Sequence, residues 1–463
     1  MKSATSKSEP KKVVLLVDDR RRDLLVASLL AFQLRERGVE CLLEPLEAYQ
    51  GVLAAHRPDM MIFNHVTASH LVAYTQRLGK MNILTGVVLN EGLCYDEEER
   101  AFNAQKHHKG AHLDFFFCWN QPLKDSLRQA GFEGTQIEVV GNPRHDFYFP
   151  PWSEAFSGYQ KPANGKPLVL LCTNFGLADF YDLPRSEVDK FFAPWKDRIP
   201  YLKDYMGIVS AHHRYREGVL KHLGALLASE KFNVILRPHP RERLDYYDSW
   251  ISKLPEKQRE LLEVDGETNI TSLLMACDLA IGCENCNTTM EAWIAGKPAV
   301  ELIFEKHPVL YTEEVAKLSP HCEDPAKLVG MVEEYLRNPA QKIYAEGRKA
   351  HLTKWCNNPS GHTTDRIADL IAEAVKRKPA SDFSQLTLTD HRRAMKLKLA
   401  QVVDEPYHYN PFQKLKAKLA GRHKTKLKAY NKAIRPSDVK KARKQLEEYY
   451  GKGKAKSASK AKG

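Results

Sequence analysis

The chain has 463 residues, a formal net charge of +12 and a hydrophobic fraction of 43%. This length is too great for one hydrophobic core and favours two large domains. No apolar run approaches the roughly 18 residues that cross a bilayer, and the polar start "MKSATSKSEPKK" lacks the apolar stretch of a signal peptide. We therefore predict a cytoplasmic protein without a membrane span.

The positive charge is concentrated at the C-terminal end. Residues 391–463 contain 22 Lys and Arg against 5 Asp and Glu, whereas the rest of the chain contains 48 against 53. The body of the protein is therefore slightly acidic, and the tail carries the basicity.

The nine cysteines lie mostly in apolar, strand-like runs, which favours buried thiols over disulfides. Cys283 and Cys286 form a CxxC pair, but no second ligand pair at zinc spacing accompanies them. A metal or redox role for this pair is the minor alternative.

Apolar runs alternate with helix-like segments from the first strand onward. The runs are "VVLLV", "CLLEP", "MMIFN", "ILTGVVLN", "FFFCWN" and "IEVVGNP". After the first of them, the segment from Asp23 to Gly38 has apolar residues at helical spacing and stops at a glycine. Buried strands alternating with helices predict a parallel sheet covered on both faces. We predict a disordered N-terminus over 1–11 and a Rossmann-like domain over 12–150.

A polar, proline-bearing stretch at 151–166 then interrupts the pattern and predicts a linker. The alternation restarts with "PLVLLCTNF", "NVILRPHP", "LAIGCEN" and "PAVELI", and "GHTTDRIADLIAEAVKRK" predicts a closing helix. We predict a second Rossmann-like domain over 167–378 and a basic, low-complexity and amphipathic tail over 379–463.

The stretch "VILRPHPRER" places unusual chemistry directly after a strand. Ligands of open parallel sheets bind at the carboxyl ends of the strands, so Arg237 and His239 should lie in the crevice, with Arg241 at its mouth. Arginine grips phosphate oxygens with paired hydrogen bonds, and histidine donates another. We predict a phosphate site here; the alternative is a solvated loop with salt bridges to nearby acids.

A second polar turn follows the strand "LAIG" and leads into a helix that we expect to begin near Met290. The positive end of a helix suits a phosphate, although simple capping is the alternative. Glu291 is a candidate for hydrogen bonds to a ribose, or serves only the helix dipole. The other candidate phosphate-binding residues in this turn are Glu284, Asn285, Asn287, Thr288 and Thr289.

Together these motifs resemble a known family. In chain order, "VVLNEGLCYD", "VVGNPRHD", "LCTNFGLADF", the HP turn at His239–Pro240, "CDLAIG" and "NTTMEAWIAGKPAVEL" resemble the bacterial surface-carbohydrate biosynthesis family. These are GT-B-type glycosyltransferases related to capsule Kdo transferases and teichoic-acid glycerophosphotransferases. The resemblance spans roughly Lys12 to Lys376. It implies an α/β fold that is GT-B-like, with two Rossmann-like doubly wound parallel-sheet domains facing a cleft, plus the basic tail.

The resemblance also implies roles for the two domains. The acceptor would bind the N-terminal domain and the nucleotide-activated sugar the C-terminal one, without a metal or another cofactor, because positive side chains and helix termini stabilise the leaving phosphate. Glu91, after "VVLN", resembles the acidic base of related Kdo transferases, although Asn90 departs from their pattern. His239 would assist the departing phosphate. Other acceptor-side candidates are Asp18, Asp19, Arg20 and Asp23, for which capping of the first helix is the alternative.

The tail carries Leu415, Leu419, Leu427 and Ile434 among lysines. Basic residues attract anionic headgroups while apolar residues enter the interface, so we expect the tail to bind an anionic membrane surface. A disordered solubilising tail is the alternative. Specific binding of nucleic acid is disfavoured, because no aromatic stacking platform accompanies the charges.

The sequence thus predicts a metal-independent glycosyltransferase that transfers a sugar from a nucleotide-activated donor to a surface-polysaccharide acceptor, lipid-linked or glycan. Three alternatives share the fold: an enzyme resembling CDP-polyol glycerophosphotransferases, a nonhydrolysing nucleotide-sugar epimerase, and an inactive scaffold that binds sugar nucleotides. The expected location is the cytoplasm, at the inner face of the cytoplasmic membrane if the tail attaches there.

Overall fold

The computed structural model describes residues 9–108, 110–156, 158–284, 286–408 and 433–460. The chain divides into two compact units. The first comprises residues 1–94, 100–146 and 354–463, and the second comprises residues 95–99 and 147–353.

The first unit is built on six parallel strands: β1 (Lys12–Val17), β2 (Glu40–Pro45), β3 (Met60–Phe63), β4 (Leu84–Val88), β5 (Phe115–Cys118) and β6 (Gln136–Val139). Their order in the sheet is β2-β1-β3-β4-β5-β6. In register, Val13 of β1 lies beside Cys41 on one side and Met60 on the other. Because the chain reverses its direction of travel across the sheet between β1 and β3, the loops after these strands form the topological switch point.

The second unit repeats this plan with β7 (Leu168–Cys172), β8 (Asn233–Arg237), β9 (Leu262–Val264), β10 (Leu279–Cys283), β11 (Ala299–Leu302) and β12 (His321–Cys322). The order is β12-β11-β10-β7-β8-β9, and all the pairs are parallel. Its switch point lies between β7 and β10. The short edge strands β9 and β12 have no counterpart in the predicted pattern, whereas the other ten strands coincide with predicted apolar runs.

Helices connect and cover the strands. They are α1 (Leu24–Glu36), α2 (Tyr49–His56), α3 (Ser69–Lys80), α4 (Glu97–His108), α5 (Gln121–Gln129), α6 (Arg185–Phe192), α7 (Tyr205–Ala228), α8 (Leu244–Ile251), α9 (Glu256–Arg259), α10 (Ile270–Ala276), α11 (Asn287–Ile294), α12 (Glu313–Ala316), α13 (Pro325–Arg337), α14 (Ala345–Cys356), α15 (Thr363–Arg377), α16 (Leu388–Val402) and α17 (Pro436–Lys460). Among the described residues, none of these helices is both long and apolar enough to cross a membrane.

The apolar runs form strands because both faces of each sheet are buried. In β1, Val14 and Leu16 contribute to one hydrophobic cluster, while Val13 and Leu15 contribute to another on the opposite face. This alternation is what a strand with helices on both sides requires. The predicted α/β class with two Rossmann-like parallel sheets is confirmed.

The division into units differs from the predicted domains at the closing helix. α15 is helical as predicted, but it packs on the first sheet through Ile367 and Ile371. Its start is held by the carboxylate of Asp146, which accepts hydrogen bonds from the backbone of Thr363 at 3.0 Å and Thr364 at 2.7 Å. The apolar stripe of α15 therefore completes the first unit rather than the second.

The linker prediction also changes. The segment 151–156 belongs to the second unit and contains the 3-10 helix Trp152–Phe156, in which Trp152 and Phe156 are buried. Two buried aromatic side chains anchor this part of the stretch, although its proline and polar content is typical of a linker.

The described parts of the tail are helical and packed. α16 lies on α2, where Ala394 and Leu397 are buried. α17 lies on α1, and Ile434, just before α17, is buried with Val17 in one cluster. The expectation that Ile434 enters a membrane interface is therefore wrong, because its side chain belongs to the core of the first unit. Leu415, Leu419 and Leu427 lie outside the described residues.

Candidate functional site

Three strand ends of the second unit converge at its switch point. β7 pairs with β8 on one side and with β10 on the other, so the ends of β8 and β10 lie roughly 10 Å apart. At the end of β7, burial raises the pKa of the Cys172 thiol well above its ordinary value. Cys286 and Arg237 lie close enough to act on this pKa electrostatically, Cys286 raising it and Arg237 lowering it. The HP turn and the turn after β10 therefore share one edge of the sheet.

A buried carboxylate fixes the HP turn. Glu242 accepts hydrogen bonds from the backbone N–H of His239 at 3.0 Å and of Phe175 at 3.0 Å, and from the hydroxyl of Thr173 at 2.7 Å. The hydroxyl of Tyr247 donates to its second oxygen. Burial raises the pKa of Glu242, although these hydrogen bonds oppose the rise. One side chain thus ties the loop after β7 to the loop after β8.

His239 has a defined tautomer when its ring is neutral. The backbone N–H of Arg241 donates to Nδ1 of His239 at 3.2 Å, so the ring proton lies on Nε2. An Nε2–H group is a hydrogen-bond donor that suits a phosphate oxygen. Gly176 lies against the turn, because an added Cβ would lie 3.2 Å from Nδ1 of His239 and 3.2 Å from Cβ of Arg241.

The arginines of the HP turn differ in their surroundings. Nη1 of Arg237 donates to the backbone oxygen of Asp265 at 2.7 Å and lies 3.3 Å from its carboxylate. Arg243 pairs with Asp245 on the surface, and Arg241 is exposed. For Arg237 and Arg243, the structure thus shows the salt bridges that the alternative interpretation expected. The phosphate role of Arg237 and Arg241 stays a prediction.

Glu284 begins the turn after β10 in an unusual environment. Its φ of 51° lies in the left-handed region that ordinary side chains avoid. One carboxylate oxygen accepts from the backbone of Phe304 at 2.8 Å, and the other has no hydrogen-bond partner among the described residues. Burial raises the pKa of Glu284 to about 7. A carboxyl group near its midpoint at neutral pH can exchange a proton with a ligand.

α11 begins at Asn287, three residues before the predicted start, because Asn287, Thr288 and Thr289 form its first turn. Cys286 precedes it and makes no side-chain capping hydrogen bond, so the capping alternative is not observed. Thr289 is buried, and Gly282 leaves room for its hydroxyl, which would lie 1.9 Å from an added Cβ.

The remaining residues of this turn are placed as follows. Asn287 is exposed and Thr288 is partly exposed, so both lie at the surface of the helix start. Asn285 lies outside the described residues. Glu291 is buried and accepts a hydrogen bond from the hydroxyl of Tyr148, which neither the ribose nor the dipole interpretation anticipated.

A buried histidine, His212, lies near both His239 and His307, and the sequence did not indicate His212 or His307 as site residues. Burial lowers the pKa of His212 to about 4, and the neighbouring His239 and His307 lower it further. His212 comes from α7 and accepts from the backbone of Leu177 at 3.3 Å, while His307 follows β11. The paired histidines in "SAHHRYREG" were the available signal, but helical spacing alone did not indicate which one faces the strand ends.

At the switch point of the first unit, Arg22 gathers the acidic candidates. Its guanidinium forms salt bridges with the carboxylates of Asp23 at 2.6 Å and Asp18 at 3.4 Å, and a third with the carboxylate of Glu91. Burial lowers the pKa of Arg22, because it disfavours the charged form. The hydrogen bond to Asp23 and the charges of Glu91 and Asp18 outweigh this and raise the pKa above its ordinary value. Sequence reasoning missed Arg22, which joins loops that are 69 residues apart.

Glu91 lies on a loop that the neighbouring strand end positions. The indole N–H of Trp119 donates to the backbone oxygen of Leu89 at 3.0 Å, and Asn120 donates to that of Gly92 at 3.2 Å. An added Cβ on Gly92 would lie 2.7 Å from the Trp119 ring, so this position requires glycine. The Glu91 side chain itself is 79% exposed. It is therefore accessible to an acceptor and held by one cation.

The other acceptor-side candidates have structural partners. Asp19 accepts from the backbone of Arg21 at 2.9 Å and of Arg22 at 3.2 Å, and Asp23 accepts from the backbone of Asp19 at 3.1 Å. These bonds shape the loop before α1, but Asp23, the residue that precedes the helix, makes no side-chain capping hydrogen bond to it, so the capping alternative is not observed. Arg20 pairs with Asp438 of α17 at 3.5 Å. Among these candidates, Asp18 and Glu91 have the more exposed carboxylates.

His65, which follows β3, adds a neutral imidazole to this edge. Burial lowers its pKa, while the charges of Asp18 and Glu91 oppose this. At neutral pH the ring is uncharged and can both donate and accept a hydrogen bond. The edge therefore combines a carboxylate, a guanidinium and an imidazole.

The CxxC cysteines are poor nucleophiles in this environment. Burial raises the pKa of Cys283 well above its ordinary value and that of Cys286 to about 11. Both are free thiols, so the thiolate form that reacts or binds metal is scarce at neutral pH. Within the described ranges, no three His, Cys, Asp or Glu side chains converge to suit a metal ion.

In comparisons with known proteins, the chain resembles solved structures by its fold. No protein-family model matches the sequence, and no curated protein matches it. Among solved structures, it is similar to a candidate UDP-N-acetylglucosamine 2-epimerase from Listeria monocytogenes, with a TM-score of 0.50 and 12% identity over 81% of this chain and 99% of that one. The wall teichoic acid polymerase TagF gives a TM-score of 0.45 and 13% identity over 80% and 90%. The UDP-GlcNAc 2-epimerase of Methanocaldococcus jannaschii gives 0.45 and 15% over 78% and 99%. The first of these similarities shows that the two Rossmann-like units form a GT-B-like fold.

Proposed function

We propose that the protein is a metal-independent GT-B glycosyltransferase that transfers a sugar from a nucleotide-activated donor to a surface-polysaccharide acceptor. In this reaction an acceptor hydroxyl forms a bond to the anomeric carbon, and the bond between that carbon and the donor phosphate breaks. The proton of the hydroxyl passes to a base, and the nucleotide leaves with the phosphate.

The donor site is proposed at the switch point of the second unit. The observation that carries this proposal is the HP turn, which presents His239 at the end of β8 and which Glu242 ties to the loop after β7 and to Tyr247 through four hydrogen bonds. The start of α11, where no side chain caps the helix, lies on the same edge. A negative phosphate would be stabilised there by the helix terminus and by the Nε2–H of His239.

The acceptor side is proposed at the switch point of the first unit, with Glu91 as the base. Its exposed carboxylate pairs with Arg22 and can accept a proton from a hydroxyl. Asp18 is the alternative base, because it is also exposed and pairs with Arg22. Asp19 and Asp23 shape the loop instead.

Binding of nucleotides tests the donor site. A ligand that binds only the native state raises the thermal midpoint, so CMP, CDP, UDP and GDP should be compared at equal concentration. We expect one of them to raise the midpoint, and a His239→Ala variant to lose this response. No response to any of the four would count against the proposal.

An epimerase is the second candidate, because the solved structure with a TM-score of 0.50 is named as one. An epimerase interconverts a nucleotide sugar without an acceptor, whereas a transferase releases free nucleotide when an acceptor is present. Chromatography of donor incubated with and without acceptor separates the two. A CDP-polyol transferase would prefer CDP-alcohols, and an inactive scaffold would bind the nucleotide but leave it unchanged.

The acceptor and the location follow from the same proposal. The enzyme would bind its lipid-linked or glycan acceptor at the inner face of the cytoplasmic membrane, where its basic tail binds anionic lipid. A tethered enzyme meets a higher local concentration of a lipid-linked acceptor.

A further inference from the structure

The outer face of α16 has an apolar stripe that nothing in the described structure covers. Leu388, Met395, Leu399 and Val402 are exposed by 78%, 70%, 63% and 82%. They are separated by seven, four and three residues, which places them on one side of a helix over about 20 Å. Exposed apolar residues aligned in this way mark an interaction surface more often than scattered ones do.

Basic residues flank the stripe. At 100° per residue, Arg392 and Lys396 lie along one side of it, and Lys398 lies along the other, and all three are exposed. The ammonium of Lys396 lies 4.3 Å from the centre of the Tyr407 ring. The acidic residue of this helix, Asp390, is buried on the opposite face. The outer face is therefore apolar along its centre and positive along both edges.

The inner face of α16 holds the helix in place. Asp390 accepts hydrogen bonds from Arg77 at 2.9 Å and 2.6 Å, and with Thr387 it forms a capping box. Ala394 and Leu397 are buried against the first unit. The helix is therefore fixed before it meets any partner, so binding would not have to order it.

We propose that this outer face docks onto an anionic lipid bilayer, with the stripe in the headgroup and acyl boundary and the basic residues against lipid phosphates. An apolar stripe bordered by lysine and arginine is the pattern of helices that lie in a membrane interface. The segment 409–432, which follows soon after, has eight Lys and Arg and no Asp or Glu in its sequence. This docking face deepens the membrane location proposed above, and it does not depend on which reaction the protein performs.

Two other occupants fit the face less well. A second copy would bring the same positive charges against each other, which costs energy. Nucleic acid would be attracted by the charge, but it would face aliphatic side chains rather than aromatic rings on which bases stack.

The test is flotation of the full chain with vesicles of equal parts phosphatidylglycerol and phosphatidylcholine, and with phosphatidylcholine alone. We expect the protein to float only with the anionic vesicles and to be released by high salt. The triple variant Met395→Ser, Leu399→Ser, Val402→Ser should reduce the floated fraction by about fivefold or more. Ile343→Ser, which removes an isolated apolar side chain that is 86% exposed elsewhere, should float as the original chain does.

A charge variant keeps the test independent of folding defects. Arg392→Gln with Lys398→Gln leaves the stripe intact and should also weaken flotation on anionic vesicles. The proposal is overturned if the triple variant floats like the original chain, since the attachment would then lie elsewhere. It is equally overturned if the original chain does not float, or if light scattering shows a dimer that the triple variant converts to a monomer.

Discussion

At the level of single residues, a few buried carboxylates hold the loops at the strand ends. Glu242 is the clearest, since it joins loops that are 69 residues apart in sequence through Thr173. Sequence patterns identify the HP turn but not this connection, because nothing local in "RPHPRER" indicates that Glu242 is buried. Arg22 was missed for the same reason.

Replacement of Glu242 tests this role. Glu242→Ala leaves buried donors without a partner, which should lower the free energy of unfolding by about 2–4 kcal/mol in urea titrations. Glu242→Gln keeps a carbonyl oxygen as an acceptor, so it should cost less and serves as the matched control. Equal stability of all three proteins would show that the turn does not depend on this side chain.

Glu284 should make stability depend on pH. Burial raises its folded pKa to about 7, so the folded state holds the proton more tightly than the unfolded state. Its contribution is therefore fully present below the ordinary glutamate pKa and is lost as pH rises through about 7, an effect of about 3–4 kcal/mol. Glu284→Gln should remove this loss and be more stable than the original above pH 7. A stability difference that stays constant across this range would contradict the assignment.

At the scale of elements, the regular strands were predictable and the packing of the tail was not. The runs that became β1 and β7 are continuous apolar segments, which is what strands covered on both faces require. Few apolar residues of α16 are buried, and several others are exposed. The sequence of α16 therefore has no single apolar face that predicts how the helix packs. Its attachment depends on the Arg77–Asp390 pair, whose members are far apart in the chain.

Asp390 should therefore hold α16 on the first unit. The hydrogen bonds from Arg77 lower the pKa of Asp390 well below its ordinary value, so this contribution is present above the ordinary aspartate pKa and is lost as pH falls. Because Arg77 is partly exposed and water screens the pair, Asp390→Asn should cost about 1–2 kcal/mol at pH 7. Urea titrations at pH 7 and near pH 3 measure this. If Asp390→Asn lowers the free energy of unfolding by as much at pH 3 as at pH 7, the ion pair with Arg77 is not the source of this stability.

At the scale of the whole molecule, the sequence predicted two parallel-sheet domains but divided the C-terminal part differently. α15, α16 and α17 all complete the first unit. The sequence does not indicate that the chain returns to its first domain, because the apolar pattern of α15 is compatible with packing on either sheet. The roles of the site residues likewise depend on long-range neighbours that spacing does not identify.

The end of the chain should therefore contribute to stability. Truncation after Lys432 removes α17 together with the buried side chains of Ile434 and Leu446. Loss of these contacts with α1 should lower the thermal midpoint by several degrees, since core side chains are worth about 2–4 kcal/mol each. A chain shortened only after Lys460 is the control. If both melt alike, the last helix is not part of the folded unit.

The placement of the donor phosphate at the HP turn is tested by calorimetric titration of the nucleotide that gives the largest thermal shift. If the phosphate lies against the HP turn, His239→Ala should weaken binding about tenfold, or roughly 1.4 kcal/mol, while Ile343→Ser leaves the affinity unchanged. Unfolding curves of the two variants must match that of the original chain for the comparison to hold. An affinity that the His239→Ala change does not alter would contradict the placement of the donor at this strand end.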